Sequence, residues 1–150
     1  MKNKSERGTK LQNKKPKPAI PPFETMEFGG ILFKVINQQD AHAIIGNLID
    51  FKGKKIYDVF EDTWRFPVYE KNAFFLLAQE DVEVDKFELA YSTEDVEDIF
   101  ILAFIFNKNF TASRYVLAYD IDNSPAMIVL GNLIAPHIHL FGNIHYIGGK

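Results

Sequence analysis

The sequence contains no cysteine, which excludes disulfides, thiolate chemistry and zinc sites built on thiolates. It also lacks a long apolar run, because the longest, "IFILAFIF" at residues 99–106, is far shorter than the roughly 20 residues of a membrane-spanning helix. The basic N-terminus is not followed by an apolar segment, so no secretory signal peptide is predicted. We therefore expect a cytoplasmic protein with no membrane association.

Motifs that bind phosphate or present a nucleophilic serine are also missing. The segments "FGG", "GNL" and "IGG" lack the spacing and the lysine of a phosphate-binding loop, and no G-x-S-x-G motif occurs. The sequence favours a protein without catalysis and leaves a metal-dependent enzyme as the alternative.

Residues 1–22 differ in composition from the rest of the chain. They contain no aromatic residue, four of the seven prolines, and seven Lys or Arg residues against one Glu, a net charge of +6. Because the whole chain carries −3, residues 23–150 carry −9. A segment of this composition buries too little apolar surface to offset the entropy of folding. We predict a disordered, basic, proline-rich arm at residues 1–22 and one folded domain at residues 23–150.

Several partners would suit this charge distribution. The arm could bind nucleic acid, although without aromatic side chains for base stacking the binding would be non-specific and sensitive to salt. It could instead contact the acidic segments "QEDVEVD" and "STEDVED" of a neighbouring copy. The acidic domain also suits an immunity-type protein that masks a basic partner.

The hydrophobic pattern predicts a mostly β protein of the α+β class, with one N-terminal helix followed by short strands. The helix is expected in "QQDAHAIIGNLIDFKGKK", where apolar residues recur at helical spacing and Asp40 can cap the start. Strands are expected in "FGGILFKVI", "IYDVF", "AFFLLAQ" and "VEVDKFELAY". Residues 99–106 are apolar on both faces, which predicts a strand covered on both sides.

The C-terminal region repeats the frame apolar–apolar–Gly–Asn–apolar in "VLGNLI" and "LFGNIH", with Gly131 and Gly142 eleven residues apart. Gly-Asn between apolar residues is typical of tight turns, because both residues tolerate positive φ. Antiparallel hairpins and a β-solenoid both use such turns. The spacing favours a repetitive β-region that forms a short solenoid.

The segment "YDIDNSPAMIVLGNLIAPHIHLFGNIHYIGG" resembles the repetitive stretches of small bacterial β-solenoid proteins, including the polymer-forming bactofilin-like ones. The resemblance covers roughly residues 115–149, where a "V-x-G-x-L" phrase recurs with further glycines. It implies a non-catalytic, stacked β-structure that self-associates. The short disordered tails of bactofilin-like proteins agree with the predicted arm, whereas the helix and the Phe-rich middle of this chain do not repeat.

His137, His139 and His145 form the candidate metal site. On a strand, His137 and His139 share one face while Ile138 takes the other, the core face. His145 could supply a third nitrogen from the next strand, which suits zinc. The interpretation we favour is that the histidines lie on the surface of repeated β-structure and that no cofactor is bound.

The segment "EDTWRFPVYEK" holds the only tryptophan and offers the candidate binding residues Trp64, Arg65, Phe66 and Tyr69. In an exposed loop they would form a hot spot for a protein partner. The alternative is that Trp64 fills the core. Taken together, the sequence favours an oligomeric structural or protein-interaction module that acts through exposed β-edges, with the metal-dependent enzyme and the immunity-type protein as alternatives.

Overall fold

The computed structural model describes residues 20–60, 72–89, 100–118 and 124–150. The predicted arm lies outside these ranges up to residue 19. About half of the described residues lie in strands and few lie in helices, which confirms the mostly β class. The elements are β1 Thr25–Phe28, β2 Ile31–Ile36, α1 Gln38–Ile45, α2 Ile56–Phe60, β3 Ala73–Ala78, β4 Val82–Leu89, β5 Phe100–Phe106, β6 Phe110–Ala118, β7 Ala126–Val129, β8 Leu133–Ile134, β9 His137–His139 and β10 Tyr146–Ile147. No helix in these ranges has the length and apolar character needed to cross a membrane.

The strands form two sheets. Sheet A has the order β1-β2-β3-β5-β7-β10, and sheet B joins β4, β6 and β8, with β9 also paired to β6. From β3 onward every described pairing is parallel. The chain alternates between the sheets. We term a segment that contributes to sheet A and then to sheet B a pass: β3–β4 is the first, β5–β6 the second, and β7 with β8 and β9 the third. After the third pass the chain returns to sheet A as β10. Antiparallel hairpins would pair these strands in opposite directions, so they do not account for the C-terminal region.

Aromatic side chains fill the core between the two sheets. Phe33, Phe87, Phe104, Phe106 and Phe110 are at most 1% exposed. Their ring centroids lie 4.6–5.7 Å apart, mostly edge to face, which is the favourable arrangement for aromatic pairs. The Phe-rich middle of the sequence therefore supplies the core in which the first two passes pack together.

The two helices cover the outer face of sheet A. Ala41 and Ile45 of α1 and Phe60 of α2 pack in one cluster with Phe75 of β3 and Ile105 of β5. Other β5 side chains face the core between the sheets. The prediction of a strand covered on both sides is thus confirmed, with sheet B and its core on one side and the helices on the other.

Helix α1 is shorter than predicted and does not lie at the N-terminus of the domain, because β1 and β2 precede it. Its N-cap is Asn37 rather than Asp40. Asn37 leaves β2 in an extended conformation, and its Oδ1 accepts the backbone N–H of Asp40 at 2.8 Å. The helix ends at Ile45, and Gly46 is its C-cap.

Residues 56–60, which the sequence predicts to be a strand, form helix α2. Ile56, Tyr57 and Phe60 are buried, whereas Asp58 is exposed. This spacing puts the apolar side chains on the helix face that meets sheet A. A run of five residues is too short for its apolar pattern to distinguish a helix from a strand.

The hairpin of β1 and β2 closes one end of the core. Gly29 and Gly30 have φ angles of 59° and 79°, as a two-residue turn between antiparallel strands requires. Beside the turn, the ring of Phe28 packs on Phe87 and Phe104 with centroid distances of 5.8 and 4.9 Å. We term this end, next to the first pass, the covered end.

Candidate functional site: the uncovered end of the core

Residues in register on successive parallel strands stack into columns that run through the core. One column joins Ala78, Phe106, Val129 and Ile147 on β3, β5, β7 and β10. The first three are buried, whereas Ile147 is 36% exposed. Among the described residues β10 has a strand neighbour on one side alone. The core therefore reaches the surface at β10.

A second column does the same in sheet B. Phe87, Val116 and Ile138 are in register on β4, β6 and β9. Phe87 and Val116 are buried, but Ile138 is 42% exposed although it shares the inward face of Val116. Ile138 is thus on the inward side of β9 but is not buried in the core, where the sequence predicted it to be. We term residues 133–147, which hold β8, β9, β10 and their connections, the uncovered end.

Three more large apolar side chains are exposed at the uncovered end: Ile134, Phe141 and Ile144. Ile134 lies in register with Thr111 of β6, and the other two lie between β9 and β10. Five of the nine exposed large apolar side chains of the described residues therefore fall within residues 133–147. A concentration of this kind is typical of an interaction surface.

The uncovered end is nearly free of charge. Residues 126–150 contain no Asp or Glu, and Lys150 is their only Lys or Arg. By contrast, residues 80–88, which lead into and form β4 at the edge of sheet B, contain five carboxylates. Charged residues are depleted at the centres of protein interfaces, so the uncovered end has the composition of such a centre.

His137 and His139 lie on the outer face of sheet B. They are exposed on β9, opposite to Ile138, and are in register with Tyr115 and Leu117 of β6. The two histidines therefore share a strand face, and that face points to solvent.

His145 is turned toward the backbone instead. Its Nδ1 accepts the N–H of Met127 at 2.9 Å, and its Nε2 lies 3.3 Å from the carbonyl oxygen of Phe141. These contacts assign the ring hydrogen to Nε2, and burial lowers the pKa of His145. The three histidines do not converge, and the described residues contain no group of three or more His, Cys, Asp or Glu that could hold a metal ion. Zinc binding by these histidines stays a prediction.

The hydrogen bond to His145 should make the third pass sensitive to acid. Because the folded-state pKa of His145 is lowered from 6.5, the unfolded chain binds a proton more readily than the folded chain. We therefore expect the contribution of His145 to stability to be complete above pH 6.5 and to be lost as the pH falls below it. His145→Ala should destabilise the protein by about 1–3 kcal/mol at neutral pH, because the buried N–H of Met127 loses its acceptor.

Urea unfolding of the wild type and of His145→Asn at pH 7 and pH 5 measures this effect. Asn places an amide oxygen near the position of Nδ1 and does not titrate, so its loss of stability between the two pH values should be smaller. His42, His137 and His139 are present in both proteins, which makes the comparison specific for His145. Equal losses in the two proteins would show that the ring is not the acid-sensitive group.

The outer face of sheet B also carries a cross-strand network centred on Asp85. At the position where the register between β4 and β6 shifts, Asp85 accepts from Ser113 Oγ and from Arg114 Nε, both at 2.8 Å. The bonds from Arg114 and Ser113 hold the pKa of Asp85 below its ordinary value, and the same carboxylate raises the pKa of Arg114. The extra β6 residue at the shift explains how one carboxylate binds two neighbours in sequence.

Two more pairs join the same strands or their preceding turns. Tyr115 donates to Glu88 at 2.8 Å, and this bond raises the pKa of the Tyr115 hydroxyl. Lys108 pairs with Glu80, which raises the pKa of the Lys108 ammonium. Because these groups are exposed or only part-buried, their pairing adds little stability. It ties β4 to β6 and neutralises part of the acidic edge.

The predicted protein-contact residues Trp64, Arg65, Phe66 and Tyr69 lie outside the described residues and stay a prediction. The sequence analysis did not single out the apolar side chains of the uncovered end. One signal could have found them: the last acidic residue is Asp122, although residues 23–150 carry −9. A stretch without carboxylates in an acidic domain indicates a surface that does not repel a second acidic molecule electrostatically.

The resemblance to bactofilin-like repeats likewise stays a prediction from the quoted segment. Comparison of the whole chain with models of protein families, with curated proteins and with solved structures finds no significant match.

Proposed function

We propose that this chain is a short β-solenoid that works as a non-catalytic interaction module and self-associates through the uncovered end. The observation that carries the proposal is that two core columns end at a surface without carboxylates, at Ile147 and Ile138. Full burial of an exposed isoleucine is worth about 1.5–3 kcal/mol. Covering the uncovered end therefore favours association.

The turns that lead from sheet A to sheet B support the solenoid. Equivalent positions are occupied by Asp81, Asn109, Asn132 and Lys150. The backbone N–H of Asn109 donates to Asp81 Oδ1 at 3.0 Å, that of Asn132 to Asn109 Oδ1 at 2.9 Å, and that of Lys150 to Asn132 Oδ1 at 2.9 Å. A side-chain ladder that repeats from pass to pass is expected where coils of chain stack on one another.

The partners of the titratable groups support a role without catalysis. Asp85 with Arg114, and Glu88 with Tyr115, pair on an exposed sheet face rather than in a cleft. His145 bonds the backbone. These contacts stabilise the stack, whereas a general acid or base must be able to reach a substrate.

Light scattering of the full chain over a range of concentrations tests self-association. We expect a mean mass above the 17.2 kDa of the monomer that rises with concentration and persists at high salt, because the surface is apolar. Ile144→Lys and Ile138→Lys should return the mass to 17.2 kDa, since each puts a charge into the contact. Ile144 is the safer position, because its side chain is 56% exposed.

Leu32→Lys is the matched control. Leu32 is 68% exposed on β2, away from the uncovered end, so this variant should associate like the wild type. A wild-type mass of 17.2 kDa at every concentration would reject self-association. An assembly that dissociates in high salt would point to the basic arm and the acidic segments instead.

A further inference from the structure

We propose that the occupant of the uncovered end is a second copy of this chain, docked uncovered end to uncovered end about a two-fold axis. This inference rests on the proposed function and adds the geometry of the contact. It gives a closed dimer, whereas stacking of the uncovered end of one copy on the covered end of the next would give an open filament.

The covered end does not accept another pass. There β2 already occupies the edge of β3, so sheet A continues into the hairpin rather than ending at the first pass. The ring of Phe28 lies over Phe87, and a Cβ added at Gly29 would lie 3.2 Å from the Phe87 ring. The core columns are therefore closed at this end, although β1 is an edge strand, and Phe23 next to it and Leu32 on β2 are exposed. Head-to-tail stacking lacks an open core column at one of its two surfaces.

Charge favours the same pairing. Two uncovered ends bring together residues 126–150 of both copies, which contain no Asp or Glu. An uncovered end placed beside the β4 edge would instead meet Glu83 and Asp85, which are exposed there. Two covered ends would bring together two copies of residues 80–88, each with five carboxylates against one lysine, and a surplus of like charge is unfavourable across an interface. The approach of two uncovered ends is the arrangement without carboxylates on either side.

The strand geometry is also self-complementary. A two-fold axis perpendicular to both the stacking direction and the strands places β10 antiparallel to β10 of the partner, and antiparallel edges pair without a connecting segment. Tyr146 and Ile147 then lie close to their own equivalents. The exposed flank of Ile147 becomes covered by the same residue of the second copy, so the column of Ala78, Phe106, Val129 and Ile147 continues across the axis. Ile138 lies farther along the strands, five residues beyond Leu133, and is covered by other residues of the second copy.

A single reporter cysteine tests this arrangement, because the chain has no cysteine of its own. Ile147→Cys and Ile144→Cys are oxidised with oxidised glutathione, which takes up the two electrons released when two thiols form one disulfide. We expect Ile147→Cys, which lies next to its own equivalent, to cross-link fastest, Ile144→Cys to cross-link more slowly, and Leu32→Cys to remain monomeric under the same conditions. Adding Ile138→Lys should slow the cross-linking of Ile147→Cys at least about tenfold.

The mass of the untreated wild type separates the two proposals. A plateau at twice 17.2 kDa, together with cross-linking that is faster through residue 147 than through residue 144, supports the closed dimer. A mass that keeps rising without a plateau overturns the two-fold arrangement but leaves self-association in place. Cross-linking through Leu32→Cys alone overturns it too, because the covered end would then be the contact. A mass of 17.2 kDa at all concentrations rejects both proposals.

Discussion

Replacing Phe87 with alanine is expected to lower the free energy of unfolding by about 3–5 kcal/mol, the usual cost of removing a large aromatic side chain from a core. The Phe87 side chain is 1% exposed on β4. Its ring meets those of Phe28, Phe104, Phe106 and Phe110, with centroid distances of 5.3–5.8 Å. Phe87 thus joins the hairpin to both sheets, a position that it shares with Phe104 of β5, whose ring meets those of Phe28, Phe33 and Phe87. The loss should therefore weaken the covered end and the core together.

Urea unfolding followed by circular dichroism gives the free energy of both the variant and a control. Phe23→Ala removes a ring that is 48% exposed, and we expect it to cost about 0.5 kcal/mol or less. A Phe28→Ala variant and the double variant complete a cycle, in which a coupling of about 0.5–1.5 kcal/mol is expected for one aromatic pair. Equal losses for Phe87→Ala and Phe23→Ala would show that the hairpin does not rest on Phe87.

The strands that the sequence predicted best are those buried on both faces. β3 and β5 are continuous apolar runs, which is the pattern expected of strands in a sheet that is covered on both faces. Strand β4 was harder because its inward residues change phase along the strand. Val82 is buried at the start, but Phe87 and Leu89 are buried at the end, an odd number of residues later. The shift in register near Asp85 makes this possible, so neither alternate face of the sequence is apolar throughout.

The stacking of passes could not be read from a fixed repeat, because each pass has a different length. In sheet A the step is 28 residues from Phe75 to Ala103, 23 from Ala103 to Ala126 and 18 from Ile128 to Tyr146. The segments that return the chain to sheet A become shorter with each pass. A search for sequence repeats depends on a constant period. In this chain it therefore detects the glycine-containing turns but not which turn stacks on which.

The glycines of the candidate site show the same difficulty at the level of single residues. The sequence pairs Gly131 with Gly142 across eleven residues. In the structure Gly131 stacks on Gly149, whose N–H donates to the Gly131 carbonyl oxygen at 2.9 Å. Gly142 lies between β9 and β10 and has a φ of 83°, whereas Gly131 does not have positive φ. The tight-turn explanation therefore fits Gly142 but is wrong for Gly131.

Gly131→Ala is expected to destabilise the protein by about 3 kcal/mol, because the turns of neighbouring passes touch at this residue. A Cβ at position 131 would lie 2.6 Å from Asn109 Oδ1 and 2.7 Å from the carbonyl group of Lys108. The backbone of Lys108 cannot rotate away as a side chain could. The third pass would have to move outward, which breaks the bond from Asn132 N to Asn109 Oδ1 in the ladder. The variant should also lose protection of the Asn132 amide in hydrogen exchange.

Gly53→Ala separates close packing from backbone conformation. Gly53 has a φ of 76° and no atom within 4 Å of an added Cβ, so its substitution costs only the strain of a left-handed conformation, about 1–2 kcal/mol. If the turns need glycine for its conformational freedom, Gly53→Ala should be the more damaging variant, because Gly131 does not have positive φ. If the turns need glycine so that neighbouring passes can approach closely, Gly131→Ala should lower the free energy of unfolding more than Gly53→Ala does. The difference between the two losses then measures how closely the passes pack. A smaller loss of stability for Gly131→Ala would mean that the third pass can shift to accommodate the added Cβ at little cost. A segment that shifts so readily would not hold Ile138 and Ile147 in the fixed positions that a contact surface requires.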